Sequence, residues 1–193
     1  MSTGTAPALD GQLEAYRQQF EKIKADARAV MAGLTGLQAY WRPGAGRWSI
    51  AECLLHLNVT AELYLPALDR AIERAEAQGW RAPGPFRHTL AGRWLIGVME
   101  PPPTRRFRTP DRLQPRREQA PDRILADFLA LQDALLDRLA RAAGLHLGRA
   151  RLRSPVFRLL RLNLLDAFGL IAAHERRHLW QARQLRIAQK LPV

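Results

Sequence analysis

The sequence predicts an all-α protein, a four-helix bundle with a long connection between its second and third long helices. Three observations carry this. Long apolar-periodic segments are separated by Pro/Gly-rich breaks, no run shows the sustained alternation of Val, Ile, Thr and aromatics that marks strands, and the segments number four. At 193 residues with 47% hydrophobic composition, the chain can bury one sizeable core, and it reads as a single domain over 1–193.

The first helix runs from about Asp10 to Met31, with Leu13, Tyr16, Phe20, Ile23, Ala27 and Val30 on one stripe and Gly33 and Gly36 ending it. A loop follows from Leu37 to Arg47. The second helix opens at Ser49, whose hydroxyl can cap orphan N–H groups while Glu52 reaches back, an S-x-x-E capping box. Pro66 should kink or divide this helix, and Gly79 should stop it. From Trp80 to Gln119 the chain is irregular, with one short helix around Thr89 to Met99 and an extended path at Pro101-Pro102-Pro103. The third long helix begins near Pro121, a residue suited to a first helical turn, and runs to Gly144. After a basic loop from Leu145 to Pro155, the last helix starts between Val156 and Asn163 and continues to about Lys190.

The N-terminus, MSTGTAPALDGQ, lacks a basic stretch followed by an apolar run, and no uncharged segment approaches the roughly 20 residues needed to span a bilayer. A soluble, cytoplasmic protein with no membrane partner is expected. Cys53 is the single cysteine, which excludes an internal disulfide. The formal charge of +12 comes almost wholly from arginine, which favours nucleic acid or a small anion as partner, or reflects arginine as the default solvated cation. Aromatics near the basic loops are few, essentially Phe107 and Phe157, and no helix-turn-helix or zinc-finger spacing occurs. An anionic small molecule is therefore preferred over nucleic acid, and a homodimer is left open.

The segment His174-Glu175-Arg176-Arg177-His178 carries the clearest chemistry. Two imidazoles one helical turn apart share a face and can grip one metal ion. The H-E-x-x-H pattern matches zinc proteases, yet LWQARQLRIAQKLPV beyond it offers no His, Asp, Glu or Cys as third ligand. That ligand must lie upstream. His88 and His146 sit in irregular segments and read as solvated polar residues, whereas His56 lies two turns into the second helix between Leu55 and Leu57. Alone, His56 would be a core histidine with a satisfied ring. Beside a two-histidine clamp in the same bundle it completes a three-nitrogen set suited to Zn²⁺ or Ni²⁺ with positions open for water or substrate.

These features resemble the DinB/YfiT-like superfamily of metal-binding four-helix bundles over most of the chain. The resemblance rests on Leu37 with Trp41-Arg42-Pro43, on Gly46-Arg47-Trp48-Ser49-Ile50-Ala51-Glu52 leading to His56-Leu57, on Arg106-Phe107-Arg108-Thr109-Pro110, and on Ala172-Ala173 through Gln181. It implies that His56, His174 and His178 bind one divalent metal. It further implies metal-dependent chemistry on small molecules, either transfer to or from a low-molecular-weight thiol such as bacillithiol, mycothiol or glutathione, or hydrolysis. A non-catalytic stress-response or binding protein with a structural metal is the alternative class.

Several other residues have both a functional and a plain reading. Glu52 could orient His56 or accept a proton near the metal, although the capping box already accounts for it. Gln181, on the stripe of His174 and His178, could hydrogen-bond a ligand or pack at the helix end. Glu175 reads as an arginine salt bridge or a support to the metal ligands, Cys53 as a small core residue, and Trp41 and Trp48 as seals at the start of the second helix. Arg106 and Arg108, in a loop with Arg105, Arg112, Arg116 and Arg117, are candidate anion or thiol-cofactor contacts, as are Arg149, Arg151, Arg153, Arg158 and Arg161 in the second basic loop.

Overall fold

The fold is given by a computed structural model that describes residues 11–103, 107–115, 119–157 and 159–192. Helix α1 (Gly11–Met31) presents the expected stripe, burying Leu13, Tyr16, Phe20, Ile23, Ala27 and Val30. Gly33 closes it at φ 65°, but the segment treated as loop contains a one-turn helix, α2 (Gly36–Tyr40). Its signal was present: Thr35 accepts from the Gln38 amide N–H while Gln38 reaches back, a complete capping box. Helix α3 (Ile50–Ala77) continues through Pro66, which does not divide it, and ends before Gly79 at φ 60°. Pro66 is exposed, so its ring occupies the solvent side while Leu65, Ala67 and Leu68 keep the helix packed.

The long connection carries α4 (Leu90–Met99), capped by Thr89, and a 3-10 turn at Asp111–Leu113. Helix α5 (Pro121–Arg141) starts with Pro121 in its first turn. The basic loop contains what periodicity missed, an antiparallel hairpin of β1 (Arg151–Arg153) and β2 (Arg161–Asn163). Three-residue strands are too short to show alternation, and each buries a leucine, Leu152 opposite Leu162. Asn163 then accepts from the Asp166 amide at 2.7 Å and starts α6 (Leu164–Ala188).

Helices α1, α3, α5 and α6 form the bundle. Helix α3 packs against α5 and α6, and α1 packs against the same two, while α1 and α3 barely touch. The successive long helices α1 and α3 thus lie across a diagonal. Every residue of α6 from Leu164 to Ala173 is buried, as a helix apolar all round requires, because α4 covers its outer side. Two glycines permit that cover. A Cβ on Gly92 would stand 2.2 Å from Asp166 Cγ, and one on Gly169 would stand 2.7 Å from Ile96 Cδ1. Phe20, Phe128 and Phe168 fill the centre of the core. Among the described residues no helix is long and apolar enough to cross a membrane.

Candidate metal centre

The site is built from the start of α3. Ser49 Oγ accepts from the Glu52 amide at 3.2 Å, and the Glu52 carboxylate accepts from the Ser49 amide at 2.9 Å. Arg42 closes the arrangement with a two-pronged ion pair to the same carboxylate, its Nε at 2.8 Å. This clasp fixes the loop that delivers Trp48. The indole ring lies 4.9 Å from the His56 ring and stacks on His178 at 5.5 Å, centroid to centroid. Trp48 therefore forms a wall of the histidine cluster as well as sealing the helix start, whereas Trp41 is more exposed and does not line the cavity.

His56 is buried, and its Nδ1 lies 2.8 Å from the Leu113 carbonyl oxygen, in the 3-10 turn. A carbonyl can only accept, so Nδ1 carries the proton and Nε2 keeps its lone pair. That Nε2 faces His174 Nε2 across 3.2 Å. One ligand atom from each of His56, His174 and His178 lies within 4.8 Å of the others. Nδ1 of His178 is buried without a hydrogen-bond partner among the described residues.

The electrostatics keep this cluster neutral. Burial lowers the pKa of His56 against the pull of the Leu113 hydrogen bond. Burial, then the charges of His56 and Arg177, bring His174 down to about 3. Burial, then His174, His56 and Arg177, hold His178 well below the usual range, with the Gln181 amide working the other way. Three neutral imidazoles from two neighbouring helices, one with its outer nitrogen anchored and one with an orphaned buried nitrogen, form a donor set that fits a divalent metal ion.

The cluster opens into a cavity of about 870 Å³. Glu52, Gln181 and Arg108 all line it, so three further candidates converge on one space. Arg106 lies outside the described residues. Glu52 is committed, however: burial works to raise its pKa, but hydrogen bonds from Arg42 and Ser49 outweigh this and hold it low. Both oxygens are engaged, which makes it a clasp on the α3 start. Gln181 is half-buried beside His178, and Arg108 is exposed at the rim.

Other expectations change. Glu175 makes no arginine salt bridge among the described residues. It is buried, accepts from Gln132 Nε2 at 2.7 Å, leaves Oε2 unpartnered, and is pushed up by burial to about 8. Cys53 is fully buried, its thiol pushed up by burial, and stands outside the ligand cluster. His88 is no solvated residue: it bridges Tyr16 Oη at 3.1 Å and the buried Asp166 carboxylate at 2.8 Å. His146 packs on Phe86 at 5.0 Å. Among the described residues the second basic loop's arginines, Arg149, Arg151, Arg153 and Arg161, do not frame this cavity, and Arg158 lies outside the described residues; Val156 and Phe157, just after the loop, line it, while Arg112 donates to the Pro155 and Val156 carbonyls.

Arg177 was not singled out from sequence. It is buried, donates to the Val98 carbonyl at 3.0 Å, lies 5.5 Å from the Phe107 ring centre and lines the cavity. Its i, i+3 relation to His174 was the available signal. The Leu113 carbonyl had none, being a backbone group on a distant loop.

These features define a histidine-lined site in a four-helix bundle that could hold a metal ion. The family model described as the DinB superfamily matches residues 19–182, and the chain belongs to that family. No curated protein sequence matches it. Among solved structures it is similar to YfiT from Bacillus subtilis, described as a "probable metal-dependent hydrolase with an unusual four-helix bundle topology". The TM-score is 0.64 at 15% identity, covering 99% of this chain and 95% of that one.

Proposed function

We propose that the protein is a metal-dependent enzyme acting on an anionic small molecule, with transfer of a low-molecular-weight thiol as its reaction. The observation that carries this reading is a cluster of three neutral imidazoles in a cavity whose ionised side chains are predominantly arginines. Arg47, Arg108 and Arg177 line it, whereas Glu52 and Arg42 offset each other as an ion pair and Glu175, held near 8, is predominantly a neutral acid at pH 7. Such a cavity concentrates carboxylates and thiolates.

A divalent ion in three imidazoles, zinc or nickel by donor type, supplies Lewis acidity that stabilises the anion of a thiol or of water near neutral pH. The chain's own residues do the rest. Leu113 holds the His56 ring with Nε2 inward, and Trp48 backs two rings so that they cannot swing away. Leu95, Met99, Leu170 and Ile171 give the cavity an apolar wall that excludes water from one side of a substrate. Arginines at the rim hold anionic groups, and the Gln181 amide beside His178 can donate to a polar atom of the substrate. Cys53 is buried with a raised pKa, so no protein thiol competes as nucleophile.

Hydrolysis is the second reading, favoured by the description of YfiT. The test combines elemental analysis with two activity arms. Wild type should bind one divalent ion per chain, His178→Ala should lose it, and the loaded protein should conjugate a thiol to an electrophile. A full equivalent of metal in His178→Ala would overturn the triad. Turnover of esters or amides with no thiol dependence would replace transfer by hydrolysis.

A further inference from the structure

A second cavity, of about 450 Å³, lies between α3 and the β-hairpin and is lined by five arginines. Arg70 and Arg74 stand one turn apart on α3, and Arg151, Arg153 and Arg161 come from the two strands. None of the five forms an ion pair among the described residues. Of the acidic residues of α3 around them, Asp69 pairs with Arg138 and Arg141 and Glu76 with Arg141, while Glu73, between Arg70 and Arg74 in the sequence, forms no ion pair among the described residues and does not line the cavity. No Asp or Glu lines the cavity.

The backbone enforces this concentration of charge. In β1 the burial pattern sends Leu152 inward and Arg151 and Arg153 outward to one side. The hairpin register then sets Arg161 directly opposite Arg153. Like charges opposite each other on a strand pair, and one turn apart on a helix, are both destabilising, and here the two arrangements meet. An anion is what relieves such repulsion. Five guanidinium groups around one concavity exceed what a single tetrahedral oxyanion can engage, because each prefers a two-pronged contact. The remaining lining is Ala67, Ala71 and Leu152, with no aromatic ring on which a base could stack.

We propose that this cavity binds a condensed phosphate chain, either free or as the oligophosphate tail of a nucleotide. A concave site of this size suits two or three linked phosphates. The backbone of a long nucleic acid would need a continuous basic track with stacking residues.

The experiment is calorimetric titration of the metal-loaded, full-length protein with tripolyphosphate, orthophosphate, ATP and a single-stranded oligonucleotide, metal content being measured before and after. Wild type should bind one tripolyphosphate per chain and orthophosphate much more weakly. The double variant R153Q/R161Q should bind tripolyphosphate at least about tenfold more weakly, since it removes charged hydrogen bonds, while R108Q at the other cavity should bind as wild type does. ATP matching tripolyphosphate places recognition in the phosphates, so both sources fit; binding by tripolyphosphate alone restricts the ligand to the free chain. Because the two positions are exposed and mutually repulsive, the ligand-free double variant should melt no lower than wild type. Equal heats in wild type and double variant, including those due to metal stripping, would overturn the proposal, as would loss of binding in R108Q alone. Tighter binding of the oligonucleotide than of tripolyphosphate, lost in the double variant, would replace it by a nucleic-acid contact.

Discussion

Substituting Glu175→Gln tests whether the glutamate of the H-E-x-x-H segment is a base or a buried acid. Glu175 is 2% exposed, holds one hydrogen bond from Gln132, and titrates near 8 against 4.5 for the unfolded chain. Between these values the folded state keeps a proton that the unfolded state has released. The stability from this group is therefore complete below pH 4.5 and is lost as pH rises through 8. The slope is about 1.4 kcal/mol per pH unit, which accumulates to about 3 kcal/mol at pH 7. Glutamine preserves the acceptor for Gln132 but has no proton to lose. Relative to Glu175→Gln, metal-free wild type should lose stability steadily between pH 5 and 8, read from urea unfolding at each pH. The three histidines, whose lowered pKa values cost stability as pH falls below 6.5, are common to both proteins and cancel in the difference. Parallel stability profiles for the two proteins would refute the buried-acid argument. Metal binding should survive the substitution.

Glu52→Ala removes the partner of Arg42 and of the Ser49 amide, and should lower stability by about 1–3 kcal/mol while leaving metal stoichiometry intact. A fall in kcat with unchanged melting would instead assign Glu52 to the chemistry. Gly92→Ala should destabilise by about 1–3 kcal/mol because its methyl would stand 2.2 Å from Asp166 Cγ. Gly97→Ala on the same helix, with open space around it, should be neutral or stabilising in the same thermal melts.

The helices of the bundle were legible because each buries a stripe, and stripes leave a period in the sequence; α1 matches its expected face residue for residue. Caps were equally legible, since Ser49 and Glu52 act on neighbours three residues away. The hairpin was not, because a three-residue strand has no period and its partner strand lies beyond a turn. For the site, one turn of helix announced His174 and His178, and a half-buried setting suggested His56. The Leu113 carbonyl that orients His56 comes from 57 residues away and belongs to a backbone that no side-chain pattern marks.

Local chemistry in the chain specifies the helices, their caps and the histidine clamp, because those depend on residues within a turn or two of one another. The tertiary structure alone decided which charges share a space. It placed Arg42 on Glu52 and so engaged that carboxylate at the cavity wall, turned Glu175 to Gln132, and sent Arg151, Arg153 and Arg161 to a separate cavity beside α3. Such assignments depend on distances between segments far apart in the chain, and a charge's role follows from its neighbours in space.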